Sequence, residues 1–165
     1  MKKLLSVLMV VAVVFAFSAC GTSATDDQGS TEATSAAATT GHNLGDYEVT
    51  FGDAAIGDDY DGTKCFFVAY EFGNYSEDTT GAYTAVYAQA FQDGVELESA
   101  FAVDYPDGDW ENGANNYMKD IRPDNTISVC ESFILTSDSP VEVEITELIS
   151  FSELKVAKTY DVVSK

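Results

Sequence analysis

The chain has 165 residues, 45% of them hydrophobic, which is enough for one packed domain with a short appendage. Only eight Lys and Arg stand against 28 Asp and Glu, two of the eight being Lys2 and Lys3, and the formal net charge is −20. Such a surface repels phosphate backbones and anionic headgroups, so nucleic acid is excluded as a partner and solubility is favoured.

Lys2-Lys3 precedes a nearly continuous apolar run from Leu4 to Ala19. The run falls short of the roughly 20 residues that a spanning helix needs and reads as a secretory leader. It ends at Phe17-Ser18-Ala19-Cys20-Gly21, which resembles the lipobox of bacterial lipoproteins, with Phe17 where leucine is usual. The resemblance implies a signal peptide over residues 1–19 and lipidation of Cys20, which would anchor the chain to the membrane. Gly21 to Gly41 contains no aromatic and no large aliphatic residue, so it cannot bury enough surface to offset its ordering entropy. Residues 20–45 are therefore expected to be a lipidated tether, with the folded domain over 46–165. His42, the single histidine, borders the tether and has no visible partner for metal or catalytic work.

Tyr47 to Phe51 alternates as a first strand, and Gly57 to Gly62 has the Asp and Gly content of a turn. Lys64 to Asn74 then reads KCFFVAYEFGN, with Phe66, Val68, Tyr70 and Phe72 on one face and Cys65, Phe67, Ala69 and Glu71 on the other. That alternation predicts the central strand of the domain, buried on the first face. Residues 82–103 predict a hairpin around Asp93-Gly94. A bulged loop over Gln92-Asp93-Gly94 sorts Tyr87, Phe91, Val95, Leu97 and Phe101 onto the core face, whereas a two-residue loop does not, so the bulged register is expected. Asp104 to Asp120 is expected to be a long irregular connection. Strands follow over Thr126–Leu135, with Ile127, Val129, Phe133 and Leu135 inward, over Val141–Ile145, and from about Lys155 to Val163. About seven short strands without an amphipathic helix predict an all-β antiparallel sandwich.

The runs DDYDGTKCFFVAYEFGNYS, AVYAQAFQDGVELE and IRPDNTISVCESFILTSDSPVEVEI resemble a family of mostly Gram-positive bacterial surface lipoproteins that carry a C-terminal domain of unknown function. The resemblance covers roughly residues 46–163. It implies a telokin-like or immunoglobulin-like fold on the extracellular face of the cell membrane and transfers no catalytic residues.

With Cys20 lipidated, Cys65 and Cys130 remain as an even pair in an oxidising compartment. In an immunoglobulin-like strand order they are either bridged across neighbouring strands or two separate thiols. Asp107, Asp109 and Glu111 have the alternate spacing of a loop that wraps Ca²⁺, but Gly113 falls at the seventh position instead of the sixth and no acid occupies the twelfth. Tyr105, Trp110 and Tyr117 either cover the open end of the core or anchor a partner. No catalytic constellation and no cofactor motif is present in the sequence. The expected function is a lipid-anchored extracellular interaction module of unknown ligand, with a protein or cell-wall component as the expected class of partner and a structural or protective envelope protein as the alternative.

Overall fold

A computed structural model of the chain describes residues 42–149 and 152–162. The chain runs through β1 (Tyr47–Asp59), β2 (Lys64–Asn74), β3 (Thr80–Gly81), a single helical turn α1 (Ala82–Ala85), β4 (Val86–Gln92) and β5 (Val95–Glu96). It continues through β6 (Ala102–Asp104), α2 (Trp110–Tyr117), β7 (Asp120–Ile121), β8 (Asn125–Ile134), β9 (Val141–Glu147) and β10 (Lys155–Tyr160). All pairings are antiparallel: one sheet has the order β6-β1-β2-β8, a second β10-β9-β4-β5, and β3 pairs with β7. The domain is all-β apart from its two short helices.

β2 occupies the place expected of it. It pairs with β1 from Tyr47↔Asn74 to Asp58↔Lys64 and with β8 from Cys65↔Ile134 to Asn74↔Asn125. Phe66, Val68, Tyr70 and Phe72 are buried in one cluster with Val49, Val129 and Phe133 of their own sheet. The second sheet contributes Val86, Ala88, Ala90, Val141, Val143 and Ile145 to the same cluster. Leu44 is also fully buried there, so packing begins ahead of residue 46. His42 stacks on Tyr75 at 3.7 Å and places Nδ1 3.2 Å from Glu48 Oε2.

The hairpin takes the other register. Gln92 pairs with Val95 and Phe91 with Glu96, leaving Asp93 (φ 51°) and Gly94 (φ 78°) as a two-residue loop with both residues left-handed. Val86, Ala88, Ala90 and Gln92 therefore face inward, while Tyr87 and Val95 are exposed, as is Phe101 beyond the hairpin, and Phe91 is half-buried. Leu97 is buried as expected. The reason is volume: three aromatic rings of β2 already fill the space, and only small side chains fit opposite them at native density.

Gln92 adds a polar constraint. Its Oε1 accepts from Thr136 N, Thr136 Oγ1 and Ser137 N at 2.9, 3.1 and 3.2 Å, and its Nε2 donates to the carbonyls of Ser137 and Ser139 at 3.0 and 2.7 Å. Gln92→Ala strands these backbone groups. We expect it to cost about 3 kcal/mol in urea unfolding, with the Thr136 and Ser137 amides losing exchange protection.

β2 is buried on both faces at its start, not on one. Cys65 and Phe67 are fully buried in a second cluster with Cys130. The segment after β5 builds it: Ile134 N donates to Glu98 O, Ala100 N donates to Ser132 O, and Ala102 then pairs with Asp59 of β1. This strap joins the strands flanking β2 and passes Ala100 and Ala102 over Phe67. A Cβ on Gly57 would come within 2.6 Å of the Phe67 ring, so the close approach requires glycine there. The turn expected over Gly57–Gly62 is correspondingly shorter, because β1 runs to Asp59.

The connection from Asp104 to Asp120 is not wholly irregular, since α2 forms within it. Gly113 and three asparagines give this stretch weak intrinsic helicity, and contact with β8 compensates. A Cβ at Gly113 would lie 2.9 Å from Cys130 Cβ, and Asn116 Nδ2 donates to Ser128 O at 2.9 Å. α2 thereby covers a strand edge that would otherwise be open.

Candidate interaction cleft

The residues singled out from sequence are distributed as follows. Cys20 lies outside the described residues. Cys65 and Cys130 are free thiols. Cys130 pairs with Ala69 and Cys65 with Ile134, so the two are offset by four positions along neighbouring strands. At about 3.3 Å per residue that is about 13 Å, beyond the roughly 7 Å between Cα atoms that a disulfide spans. A bridge is excluded by this register. Burial pushes the Cys65 thiol up to about 11, helped by the carboxylate of Asp59, and burial beside Glu131 pushes Cys130 up to about 12. Both stay protonated at neutral pH and act as small apolar side chains.

Tyr105 and Trp110 pack their rings on Phe67, with centroids at 5.8 and 6.1 Å, and both are half-buried. Tyr117 packs against the main core and meets Tyr83 edge-on at 6.5 Å. Each ring thus has a covering role. Asp107, Asp109 and Glu111 do not form a ligand group: Asp109 stands at the N-terminal boundary of α2 without a side-chain capping bond, and Glu111 sits in its first turn. Among the described residues no group of three or more His, Cys, Asp or Glu is placed to hold a metal ion.

Among the described residues, a concave feature lies elsewhere. A cleft of about 810 Å³ opens between β1, the start of β2, the β8–β9 turn and the end of β10. Ile56, Phe66, Leu135 and Val162 supply its apolar surface, and Lys64, Ser137, Asp138 and Asp161 its polar surface. The volume is within the range of small-molecule and peptide sites. Its walls are held rigidly. Gln92 clamps the turn through Thr136 and Ser137, as described above. On the opposite side, Lys158 Nζ and Tyr160 OH both donate to Gly52 O at 3.1 Å, and the Tyr160 ring lies 5.6 Å from that of Phe66. Burial and the nearby Asp53 carboxylate push the Tyr160 hydroxyl up to about 12, so it remains a donor throughout the physiological range. Lys64 is engaged by Asp58 at 2.6 Å, whereas Asp138 and Asp161 are exposed.

Sequence reading did not find this cleft, because its residues come from four separated segments with no shared motif. It also passed over Glu131, which lies in step with Val129 and Phe133 on the inward face of β8. Tyr70 OH donates to Glu131 Oε1 at 2.7 Å. Burial raises the Glu131 carboxyl to about 7, opposed by the Tyr70 hydrogen bond. Strand parity was the available signal.

These features define an antiparallel all-β domain with two four-stranded sheets around a common core and a cleft at one end. Residues 22–147 match a domain of unknown function, DUF5067, and the chain belongs to that family. No curated protein matches the chain. Among solved structures, a candidate lipoprotein from Staphylococcus aureus aligns with a TM-score of 0.53 at 11% identity, over 71% of this chain and 84% of that one. A protein from Enterococcus faecalis solved by NMR aligns with a TM-score of 0.52 at 20% identity, over 72% and 86% of the two chains. At these identities the likeness is one of fold.

Proposed function

We propose that this chain is a lipoprotein of the bacterial cell surface, anchored through Cys20, whose immunoglobulin-like β-sandwich is an extracellular interaction module that binds through the cleft. The observation that carries the reading is the cleft itself: an apolar surface with polar groups beside it, on walls fixed by Gln92 and Tyr160. The leader, the lipobox-like Cys20 and the likeness to a candidate lipoprotein support the location. The two thiols, which stay protonated at neutral pH, favour binding over nucleophilic chemistry.

Two experiments test this. Palmitate labelling of the expressed chain is expected to disappear in Cys20→Ala, and labelling that persists overturns the anchor. The purified chain is expected to bind whole cells or cell-wall fragments saturably, and Val162→Asp, which places a charge in the cleft wall, should abolish that binding without unfolding the domain. Binding unchanged in Val162→Asp removes the cleft as the site.

A further inference from the structure

The cleft is bordered by three consecutive residues, Ala54, Ala55 and Ile56, so the backbone of β1 itself forms one side of it. Among the described residues β1 pairs with β2 along one edge, and along the other only with β6 at Asp58 and Asp59. A bulge between Phe51 and Ala54 interrupts the strand, and the carbonyl of Gly52 is taken by Lys158 and Tyr160. Between that capped carbonyl and β6 lies a short window of strand edge, from Ala54 to Gly57, that faces the cleft. The opposite edge of the same sheet, that of β8, is covered by α2 and by the strap. Uncovered strand edges are usually blocked, and one that opens into an apolar cleft is suited to receive another strand.

From this arrangement we propose that the cleft binds an extended segment of a partner protein as an added strand on β1, with an apolar residue flanked by Lys or Arg. Main-chain hydrogen bonds to the window hold the segment, and alternate side chains point toward Phe66, Leu135 and Val162. The basic flanks follow from charge. Asp138 and Asp161 are exposed beside the apolar surface, Lys64 is neutralised by Asp58, and the whole chain carries −20. An acidic segment, including a second copy of this chain, meets repulsion on approach.

The inference rests on the cleft being the interaction site of the proposed function, and the test separates the two. The full chain in detergent micelles is mixed with the blocked peptide Lys-Val-Lys-Val-Lys, and hydrogen exchange is followed by mass spectrometry. Slower exchange confined to residues 52–58 is expected. The counterpart Glu-Val-Glu-Val-Glu, and a basic peptide N-methylated at alternate residues, should give no protection. Asp138→Asn combined with Asp161→Asn should weaken the basic peptide about tenfold, the combined effect of two exposed ion pairs. Equal protection by the acidic or N-methylated peptide overturns strand addition by a basic segment. Protection of 52–58 by self-association, abolished by dilution, assigns the edge to a second copy and overturns it equally. If no peptide binds while Val162→Asp still abolishes cell binding, strand addition falls and the cleft remains the site. If Val162→Asp has no effect either, both fall.

Discussion

Phe67→Ala is expected to destabilise the domain by about 3–5 kcal/mol, as much as truncating a ring in the main core. Phe67 is fully buried and is the piece on which Tyr105, Trp110, Ala100 and Ala102 converge. Its removal leaves a cavity beneath the strap, and the strap is joined to its neighbours chiefly by backbone pairs at β8 and β1. The consequence is therefore local as well as global. Trp110 is the single tryptophan, so native-state fluorescence reports this site cleanly, and a red shift is expected before global unfolding. Urea unfolding followed by fluorescence and by far-ultraviolet dichroism should separate into two transitions in the variant. Unchanged stability and unchanged emission would show that the strap does not depend on Phe67.

The second large effect concerns Glu131 and has an unusual sign for a carboxylate. Its pKa in the folded domain is raised to about 7 from an ordinary value of 4.5, so the folded state holds the proton more tightly than the unfolded chain. Stability from this group is full below about pH 4.5, falls between 4.5 and 7, and is lost above 7. A shift of that size corresponds to about 3 kcal/mol. The groups around the carboxyl relieve it only in part: Tyr70 on β2 donates one hydrogen bond that opposes the shift, Tyr117 on α2 and Tyr87 on β4 lie close enough to feel its charge, and none of the described ion pairs involves it. Glu131→Gln keeps an acceptor for Tyr70 and removes the ionisation. We expect the variant to match the wild type near pH 4 and to exceed it by about 3 kcal/mol at pH 8. Taking the difference between the two proteins at each pH cancels the background from the many other acids. A wild-type advantage at pH 8 would mean that the carboxylate is stabilised by a partner when ionised.

Both effects concern residues that the linear pattern treats as secondary. Phe67 belongs to the less apolar set of its strand, and Glu131 interrupts an apolar series. The hairpin from Val86 to Glu96 shows the same limit more sharply. Its hydrophobic pattern favours Tyr87, Phe91 and Val95 as the inward set, yet Ala88, Ala90 and Gln92 occupy that face. Sorting by hydrophobicity assumes that the larger apolar face is the buried one. That assumption fails where the opposite sheet has already filled the volume and where a buried glutamine satisfies every one of its polar atoms.

The candidate site was less legible than the fold. Trp110, Tyr105 and Tyr117 stand out in sequence as rings that either cover the open end of the core or anchor a partner, and all three are partly buried and packed against the two clusters. Ile56, Leu135, Asp138 and Val162 carry no local signal, since each looks like an ordinary strand or turn residue.

Some properties of this protein follow from sequence on local physics. Alternation over Lys64–Asn74 places Phe66, Val68, Tyr70 and Phe72 on one face, because a strand's side chains have a period of two wherever the strand lies. Asp93-Gly94 makes a tight reversal because the pair tolerates positive φ. What required the tertiary structure was every choice that depends on what stands opposite: the inward face of β4, the second burial of β2, the helix held by β8, and the cleft left where β1, the β8–β9 turn and β10 meet without filling the space between them. Those outcomes are set by volume and by paired polar groups across distant segments, which a local pattern does not contain.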